Sequence, residues 1–402
     1  MYDSRSVIPQ DTASAYSIDG RPPCDVYEPR NEQDAIEIVC ASRGQHALVP
    51  WGGGCAMGQG NPLRAQRWAA LCSNGFDQLV EFSPDDMVVT AGAGMTLSNL
   101  QSILAGHNQF LPIDAPDADR ATLGGIVATN AQGLWRPAFG APRDRLLGVR
   151  VVMADGSVVR GGGKVVKNVA GYDLCKLFAG SWGTLGFITE VTFKTNPLPE
   201  SRVHVNYTAE SLQAAAQAAL KIHTELLQPA YLSAANLRGM SLSVGLIGSA
   251  QTVEWQRAEI ERILSESGLK PGPDDPSEDS LRHWQRELNP VATARISIPP
   301  SEVAAFCRHI AHQMPESTII AHIPVGIIEI GLSSQAIDTA LGSTSMIPVG
   351  GGFVWTAIPR EWRQRIGDVW GAQRSGFAIM RGIKQALDPT NLFSPGRFVG
   401  GL

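Results

Sequence analysis

The chain has 402 residues, of which 44% are hydrophobic and 18% are charged, and this composition excludes a disordered chain. The formal net charge of -5 disfavours nucleic acid as a partner, because proteins that bind polyanions usually carry a basic excess. None of the six cysteines stands in C-x-x-C spacing, so we expect neither a zinc ribbon nor an iron–sulfur cluster held by this chain alone.

The first predicted unit, over residues 25–54, is a strand, a helix, a second strand and a glycine loop. Asn31 is the predicted N-cap of the helix, which ends at Gly44. The second strand, residues 47–49, leads into three consecutive glycines, Gly52 to Gly54. Consecutive glycines let backbone N–H groups converge on one point, as they do around a diphosphate. A simple turn is the alternative interpretation.

A second unit follows, with a predicted strand over residues 87–90 and a helix capped by Thr96. Asp155-Gly156 lies between two apolar runs and predicts a hairpin, and residues 187–195 alternate as a strand. Glycines are concentrated between residues 124 and 186. Their density indicates either backbone that passes close to a ligand or a loop-rich β domain.

The pattern changes after residue 199. Residues 202–267 read as strand, helix, strand, strand, helix, and the order partly repeats over residues 294–332. Two such units predict an antiparallel sheet with helices on one face, joined by a polar, proline-bearing linker over residues 271–279. Residues 361–387 are predicted to be mostly helical. The fold class predicted for the chain is therefore α+β.

Three segments together carry a family resemblance: PWGGGCAMG, ATLGGIVATN and KNVAGYDLCKLFAGSWGTLGFITEV, with LDPTNLFSPGR near the C-terminus. The set resembles the FAD-binding domain of the vanillyl-alcohol oxidase and p-cresol methylhydroxylase class, and within it the FAD-binding subunits of bacterial glycolate oxidases. The resemblance implies an FAD-binding domain of two α+β subdomains over residues 1–199, split near 83. It also implies an α+β cap or substrate domain with an antiparallel sheet over 200–360, and a tail over 361–402 that returns to the FAD domain.

The resemblance also implies which residues bind FAD. The first group belongs to the pyrophosphate loop, the second to the strip along the ribityl chain and flavin, and the third to the adenine side. The loop residues are Trp51, Gly52, Gly53, Gly54, Cys55, Ala56, Met57 and Gly58. The strip residues are Pro116, Ala121, Thr122, Gly124, Gly125, Thr129 and Asn130, and those on the adenine side are Gly183, Thr184, Gly186 and Ile188.

Departures from the family pattern carry information. Relatives that bind FAD covalently place His or Cys in such loops, whereas here Cys55 stands where a hydroxyl residue is common and no His occurs between His46 and His107. We therefore expect non-covalent FAD. The chain also lacks the His-x-Gly-Asp-Gly-Asn-x-His run of the catalytic 2-hydroxy-acid dehydrogenases, so we expect no catalytic metal, and the catalytic base is not identified.

Several other residues have two interpretations each. A cation near flavin N1 would stabilise the reduced flavin, and Lys167, Lys384 and Arg397 are candidates, with an ordinary surface cation as the favoured alternative. Tyr172 is either a flavin neighbour or a core tyrosine.

Two residues of the predicted cap domain are also open to two interpretations. Arg295 could bind a substrate carboxylate, but a salt bridge at a strand edge is favoured. His322 stands where the metal-binding run would fall, and a hydrogen-bonded core histidine is the favoured interpretation.

The resemblance implies a function in a complex. The chain would be the FAD-binding subunit of a glycolate or other 2-hydroxy-acid dehydrogenase, beside a second flavoprotein subunit and an iron–sulfur subunit that takes the electrons onward. A self-sufficient FAD-dependent oxidase or dehydrogenase is the alternative, and a non-catalytic partner with a vestigial flavin site is the third. Without a signal peptide or a predicted membrane span, we expect a cytoplasmic protein, associated with a membrane only through the complex.

Overall fold

The computed structural model describes residues 14–163, 172–225, 227–342, 351–372 and 375–402. The chain folds into two compact units. The first unit comprises Met1–Gln132, Gly140–Leu198 and Ala372–Leu402, and the second comprises Gly133–Phe139 and Pro199–Gly371.

The strands are numbered in chain order. They are β1 Asp25–Tyr27, β2 Ala47–Trp51, β3 Trp68–Cys72, β4 Leu79–Ser83, β5 Val88–Gly92, β6 Gln109–Phe110, β7 Leu146–Val152, β8 Val158–Gly162, β9 Phe187–Lys194, β10 Asn196–Pro197, β11 Ser201–Thr208, β12 Tyr231–Ala235, β13 Ser241–Gly248, β14 Lys270–Pro271, β15 Ala292–Ser297, β16 Thr318–His322, β17 Ile327–Leu332 and β18 Gly352–Ala357.

The α-helices are numbered in the same way. They are α1 Glu32–Ser42, α2 Leu97–Ala105, α3 Leu123–Thr129, α4 Arg136–Phe139, α5 Pro142–Arg145, α6 Leu174–Phe178, α7 Leu212–Thr224, α8 Ala250–Glu266, α9 Glu278–Leu288, α10 Val303–Gln313, α11 Ser334–Gly342, α12 Arg360–Ile366 and α13 Phe377–Leu387.

The first unit contains two main sheets. One is a three-stranded parallel sheet in the order β1-β3-β2, and the other is a five-stranded antiparallel sheet in the order β4-β5-β9-β7-β8. Apolar residues of α1, of the parallel sheet and of β7 and β9 share one core. The helices α2, α3 and α6 contribute to a second core over the antiparallel sheet. This shared packing holds the two sheets of the unit together.

The local predictions in this unit are confirmed. Asn31 caps α1, where its side chain accepts a hydrogen bond from the amide of Asp34 at 2.9 Å, and Thr96 caps α2. The Asp155-Gly156 turn joins β7 to β8, and Gly156 has a φ of 84°, in the left-handed region that glycine adopts without strain.

The second unit is one eight-stranded antiparallel sheet in the order β14-β11-β13-β12-β16-β17-β15-β18. The predicted repeat is present, because β11, β13 and β12 mirror the order of β15, β17 and β16 across the centre of the sheet. Alternate residues of these strands face a core built with α7, α8 and α10. Together the two units confirm the predicted α+β class.

One sequence prediction needs correction here. The linker segment leads into a helix, α9, and this helix lies on the other face of the sheet, so the described helices do not all cover one face. Trp284 of α9 is only 1% exposed and packs over Gly331 of β17, where a side chain would collide with the indole ring. The segment over 361–387 is mostly helical, as predicted, and consists of two helices, α12 and α13, with Gly367 at a φ of 78° after the first.

Candidate functional site

The glycine loop begins where β2 ends. Strands β2 and β3 are parallel, and ligands of parallel sheets bind beyond the carboxyl ends of the strands. Within the described part of the chain, the amide N–H groups of Gly53, Gly54 and Ala56 donate no hydrogen bond. No acidic residue occurs between residues 51 and 61. The loop therefore offers backbone donors that are not used within the described residues, without a competing negative charge, and this chemistry suits an anion.

The loop packs tightly against the predicted flavin strip. A Cβ atom on Gly52 would overlap the hydroxyl of Thr122, and one on Gly53 would overlap the carbonyl oxygen of Arg120. Thr122 is 5% exposed and caps α3, where its hydroxyl accepts from the amide of Gly125 at 3.3 Å. The first two glycines of the loop are thus required for contact between two chain segments, whether or not a ligand is near.

The third predicted segment joins the other two. The amide of Gly180 donates to the carbonyl of Val127 at 2.9 Å, and the amide of Trp182 donates to that of Ala128 at 2.8 Å. Gly183 has a φ of 64°, and a Cβ there would lie 3.3 Å from the ring of Pro50, just before the loop. The structure therefore brings together the described parts of the three segments that carry the family resemblance.

Within the predicted strip, the residues differ in environment. Pro116 is exposed, whereas Ala121 and Thr122 are buried. The hydroxyl of Thr129 donates to the carbonyl of Gly125 at 2.7 Å. Asn130 ends α3 at a φ of 50°, and its side-chain oxygen accepts from the amide of Arg143 at 3.1 Å.

The predicted adenine-side residues contribute mainly to packing. Ile188 lies in the core of the antiparallel sheet, and a Cβ on Gly186 would lie 2.6 Å from Val151. Thr184 is 2% exposed, and its hydroxyl donates to the carbonyl of Ser181 at 2.6 Å. Their cofactor role stays a prediction, because these contacts alone explain the residue types at these positions.

Sequence reasoning missed two polar residues at the loop. The guanidinium of Arg120 donates to the carbonyl of Gly53 at 3.0 Å and places a cation beside the loop. Ser73 follows β3, is 5% exposed and donates its amide to the carbonyl of Trp51 at 2.9 Å, yet among the described residues its hydroxyl has no partner. Only the position of Arg120 directly before the glycine-rich strip signals its role in the sequence.

The surface-cation interpretation of Lys384 is wrong. The side chain is buried, and its ammonium donates to the carbonyls of Thr184 and Phe393 and to the carboxylate of Asp388, at 2.7, 3.0 and 2.6 Å. Burial lowers the pKa of Lys384, and the negative charge of Asp388 opposes that shift. Three acceptors use all three ammonium protons, so Lys384 connects the C-terminal segment to the segment around Thr184 within the first unit.

Arg397 is also buried, at 5% exposure, so the surface-cation interpretation is wrong for it too. Its contacts are with the glycine loop. Tyr172 is 95% exposed, which excludes the core-tyrosine interpretation. Lys167, the third predicted cation, lies outside the described residues.

In the second unit, four polar side chains form a row on the sheet face opposite the apolar core. Arg295 donates to Glu329 at 3.0 Å across strands β15 and β17, and the indole of Trp284 donates to the other carboxylate oxygen at 3.1 Å. The ring of His322 is hydrogen-bonded to the hydroxyl of Ser233 at 2.9 Å. The favoured salt bridge of Arg295 is confirmed, but it is not at an edge, because β18 pairs with β15 on its outer side.

The charges in this row are already balanced. Burial lowers the pKa of His322, which therefore stays neutral near pH 7, and the negative charge of Glu329 opposes this shift only in part. Burial would raise the pKa of Glu329, but the positive charge of Arg295 and the hydrogen bonds from Trp284 and Arg295 outweigh it, and the pKa is lowered. The predicted hydrogen bond of His322 is confirmed, but its half-buried side chain lies on the face opposite the apolar core and not in the core. The charge of Arg295 is offset by Glu329.

The described residues contain no group of three or more His, Cys, Asp or Glu side chains arranged to hold a metal ion. In the same part of the chain, no helix has the length and hydropathy needed to span a bilayer.

Comparison with known proteins gives matches over both units. Residues 23–162 match the family model described as the FAD binding domain, and residues 371–398 match that of the FAD linked oxidases, C-terminal domain. Glycolate oxidase subunit GlcE of Escherichia coli (strain K12) is 29% identical over 361 residues, which are 85% of this chain and 90% of that protein. Glycolate oxidase subunit GlcD of Bacillus subtilis (strain 168) is 32% identical over 223 residues, and this chain spans only 47% of its length.

Two further comparisons extend over nearly the whole chain. The probable mitochondrial D-lactate dehydrogenase of Danio rerio is 27% identical over 94% of this chain and 84% of that protein. The solved structure of p-cresol methylhydroxylase with substrate bound aligns with a TM-score of 0.76 over 97% of this chain and 93% of that one, at 14% identity. At that identity the likeness concerns the fold alone, and it confirms the p-cresol methylhydroxylase-type fold that the motifs imply.

Proposed function

We propose that this chain, an FAD-dependent oxidoreductase, is the FAD-binding subunit of a glycolate-type 2-hydroxy-acid dehydrogenase. The premise is that the chain carries an FAD binding domain and matches the C-terminal domain of the FAD linked oxidases. The observation that carries this proposal is the convergence of the loop, the strip and the third segment on one another. Its broad similarity to a glycolate oxidase subunit supports the same function.

The residues at the loop fit the diphosphate of FAD. The amides of Gly53, Gly54 and Ala56 and the hydroxyl of Ser73 are donors without partners among the described residues. Arg120 adds a positive charge next to them. A diphosphate would satisfy donors that are otherwise costly to leave unpaired in a half-buried site.

When bound, FAD supplies the acceptor for the two electrons that leave a hydroxy acid on oxidation. The chain's own part is to hold the cofactor and to keep its diphosphate end fixed. No histidine lies between His46 and His107, and Cys55 stands where a hydroxyl residue is common, so we propose that FAD is held without a covalent bond.

Onward electron transfer is proposed to use partner chains. The six cysteines lack the close spacing that holds an iron–sulfur cluster, so an iron–sulfur subunit would accept the electrons one at a time. A second flavoprotein subunit would supply the metal and histidine chemistry that this sequence lacks. The names of two relatives, both subunits of glycolate oxidases, support this arrangement.

The test begins with the chain purified alone. Acid precipitation should release all flavin as free FAD, and yellow colour left in the pellet would contradict non-covalent binding. Dye reduction with glycolate should be slow for the lone chain and rise on addition of the candidate partner chains. Loss of protein-supplied acid–base help costs on the order of 10²–10⁴ in rate.

A self-sufficient hydroxy-acid dehydrogenase is the second candidate. It is favoured by the similarity to a probable D-lactate dehydrogenase over 94% of this chain. Turnover of many hydroxy-acid molecules per second by the lone chain, unchanged by partner chains, would establish this alternative over the subunit. Absence of any bound or bindable FAD would overturn both.

A further inference from the structure

Arg397 reaches the far end of the glycine loop from the C-terminal segment. Its guanidinium donates to the carbonyl of Met57 at 2.7 Å, to that of Asn61 at 3.1 Å and to that of Gln59. More than 330 residues separate the partners in sequence (336 for Asn61). The planar guanidinium group has five N–H donors and can bond several carbonyls at once, whereas a lysine ammonium has three donors on a single atom.

The backbone of the same segment holds the chain on both sides of the loop. Before the loop, Leu48 of β2 exchanges backbone hydrogen bonds with Leu392 and Ser394, at 2.8 and 2.9 Å. After the loop, the amide of Asn61 donates to the carbonyl of Arg397 at 3.0 Å, and its side chain donates to that of Phe398 at 3.0 Å. The C-terminal segment therefore fixes both ends of the loop.

These contacts determine which backbone carbonyls and amides of the loop are hydrogen-bonded within the protein. The carbonyls of alternate residues, 57, 59 and 61, are taken by Arg397. The amides of Met57 and Gln59 are used in turns, to the carbonyls of Gly54 at 3.3 Å and Ala56 at 3.0 Å. The carbonyls at the far end of the loop are therefore paired within the protein. The amide donors of Gly53, Gly54 and Ala56, nearer the start of the loop, are left for a ligand.

We propose that Arg397 is a positioning residue for the diphosphate of FAD: by holding three carbonyls of the loop, it fixes the backbone in the conformation that presents the amide donors. This inference rests on the proposed FAD site. It differs from the expectation that Arg397 stabilises charge near flavin N1, because it places the effect of the side chain at the phosphate end of the cofactor.

Two ligands separate these roles. ADP carries the diphosphate without the flavin ring, and riboflavin carries the ring without phosphate. A residue that positions the phosphate loop affects binding of FAD and ADP, whereas a cation near N1 affects riboflavin and the reduction potential of bound FAD.

The experiment uses the full chain with Arg397→Met and Arg397→Lys, and Arg64→Met as the matched control. Arg64 is an exposed arginine whose guanidinium contacts the same segment, at the carbonyl of Gly401, at 3.5 Å. Binding of FAD, ADP and riboflavin to the apoprotein is measured by calorimetry, and thermal unfolding of each apoprotein is recorded.

We expect Arg397→Met to weaken FAD and ADP by about 10- to 100-fold, the range seen when support behind a binding shell is removed, and to leave riboflavin unchanged. Arg397→Lys should recover part of the loss, because one ammonium can serve part of the carbonyl set. Arg64→Met should bind all three ligands like the unaltered chain.

Unaltered ADP binding by a folded Arg397→Met chain would overturn the inference, and so would an equal loss for riboflavin. If Arg397→Met does not fold, the same comparison is made with Arg397→Lys, for which unchanged ADP affinity is again the overturning result. Failure of the unaltered chain to bind FAD would instead remove the proposed function itself, and the inference with it.

Discussion

Replacing Gly53 by alanine adds one methyl group, yet we expect it to lower both the stability of the apoprotein and its affinity for FAD. A Cβ atom on Gly53 overlaps the carbonyl oxygen of Arg120. That oxygen belongs to the backbone, so it cannot move aside as a flexible side chain would. The loop must therefore shift away from the strip, and its amide donors shift with it.

The expected magnitude follows from two effects. Forcing an extra carbon into a closely packed contact costs about 1–3 kcal/mol. In folding units of 150–250 residues this lowers the unfolding midpoint by about 2–4 °C per kcal/mol. A misplaced hydrogen bond to a charged group costs about 1.5–3 kcal/mol, so loss of one diphosphate contact weakens FAD by roughly 10- to 150-fold.

The control is Gly58→Ala, in the same loop, because no heavy atom lies within 4 Å of a Cβ at Gly58. Thermal unfolding of the apoproteins and fluorescence titration with FAD measure the two effects. Gly53→Ala should lower the unfolding midpoint and the FAD affinity, and Gly58→Ala should keep the unfolding midpoint of the unaltered chain. Equal stability and equal FAD affinity for Gly53→Ala would refute the steric reasoning, and so would an equal loss in the control.

Three other predictions use different perturbations. Gly58→Asp should leave apoprotein stability unchanged, because no atom lies within 4 Å of a Cβ there, but should weaken FAD and ADP; two like charges about 8 Å apart in an effective dielectric of about 20 would repel by about 2 kcal/mol, or about 30-fold in affinity. Gly58→Asn is the neutral control, and equal affinities for the two variants would count against a nearby diphosphate. Lys384→Met should destabilise the apoprotein by about 3–5 kcal/mol in denaturant unfolding, because the carboxylate of Asp388 stays buried without its cation; an unfolding curve identical to that of the unaltered chain would contradict this. Alkylation of the native apoprotein, followed by mass spectrometry, should label only the exposed thiols, because burial raises the pKa of Cys72, Cys175 and Cys307 to about 12, 11 and 12. Bound FAD should slow the alkylation of Cys55 only, and protection of Cys24 or Cys40 instead would place FAD elsewhere. The exposed thiols are Cys24, Cys40 and Cys55, and the buried ones are Cys72, Cys175 and Cys307.

Local structure was readable because its causes are local. The N-caps at Asn31 and Thr96 each use a side chain that bonds an amide three residues ahead. The Asp155-Gly156 turn needs only a glycine with positive φ between two strands. The repeated strand and helix order of the second unit follows from hydrophobic periodicity in the same way.

The helix α9 was missed because its stability is not local. It follows a polar, proline-bearing segment, and its apolar content is a narrow stripe that includes Leu281 and Trp284. The indole of Trp284 is buried over Gly331 and bonded to Glu329, more than forty residues away. Burial of that ring against a distant strand stabilises a helix that propensity alone would not.

The sequence by itself determined the set of glycine segments and the chemistry they share, since residue types such as consecutive glycines restrict what the backbone can do. It left the roles of the individual residues open. Only the tertiary structure placed Arg120 and Ser73 at the loop and paired Arg295 with Glu329. It also showed that Lys384 and Arg397 are buried cations that donate hydrogen bonds to distant backbone carbonyls, and not surface cations. The physical reason is that a charged side chain takes its role from the groups it meets, and here those groups come from parts of the chain up to about 340 residues apart.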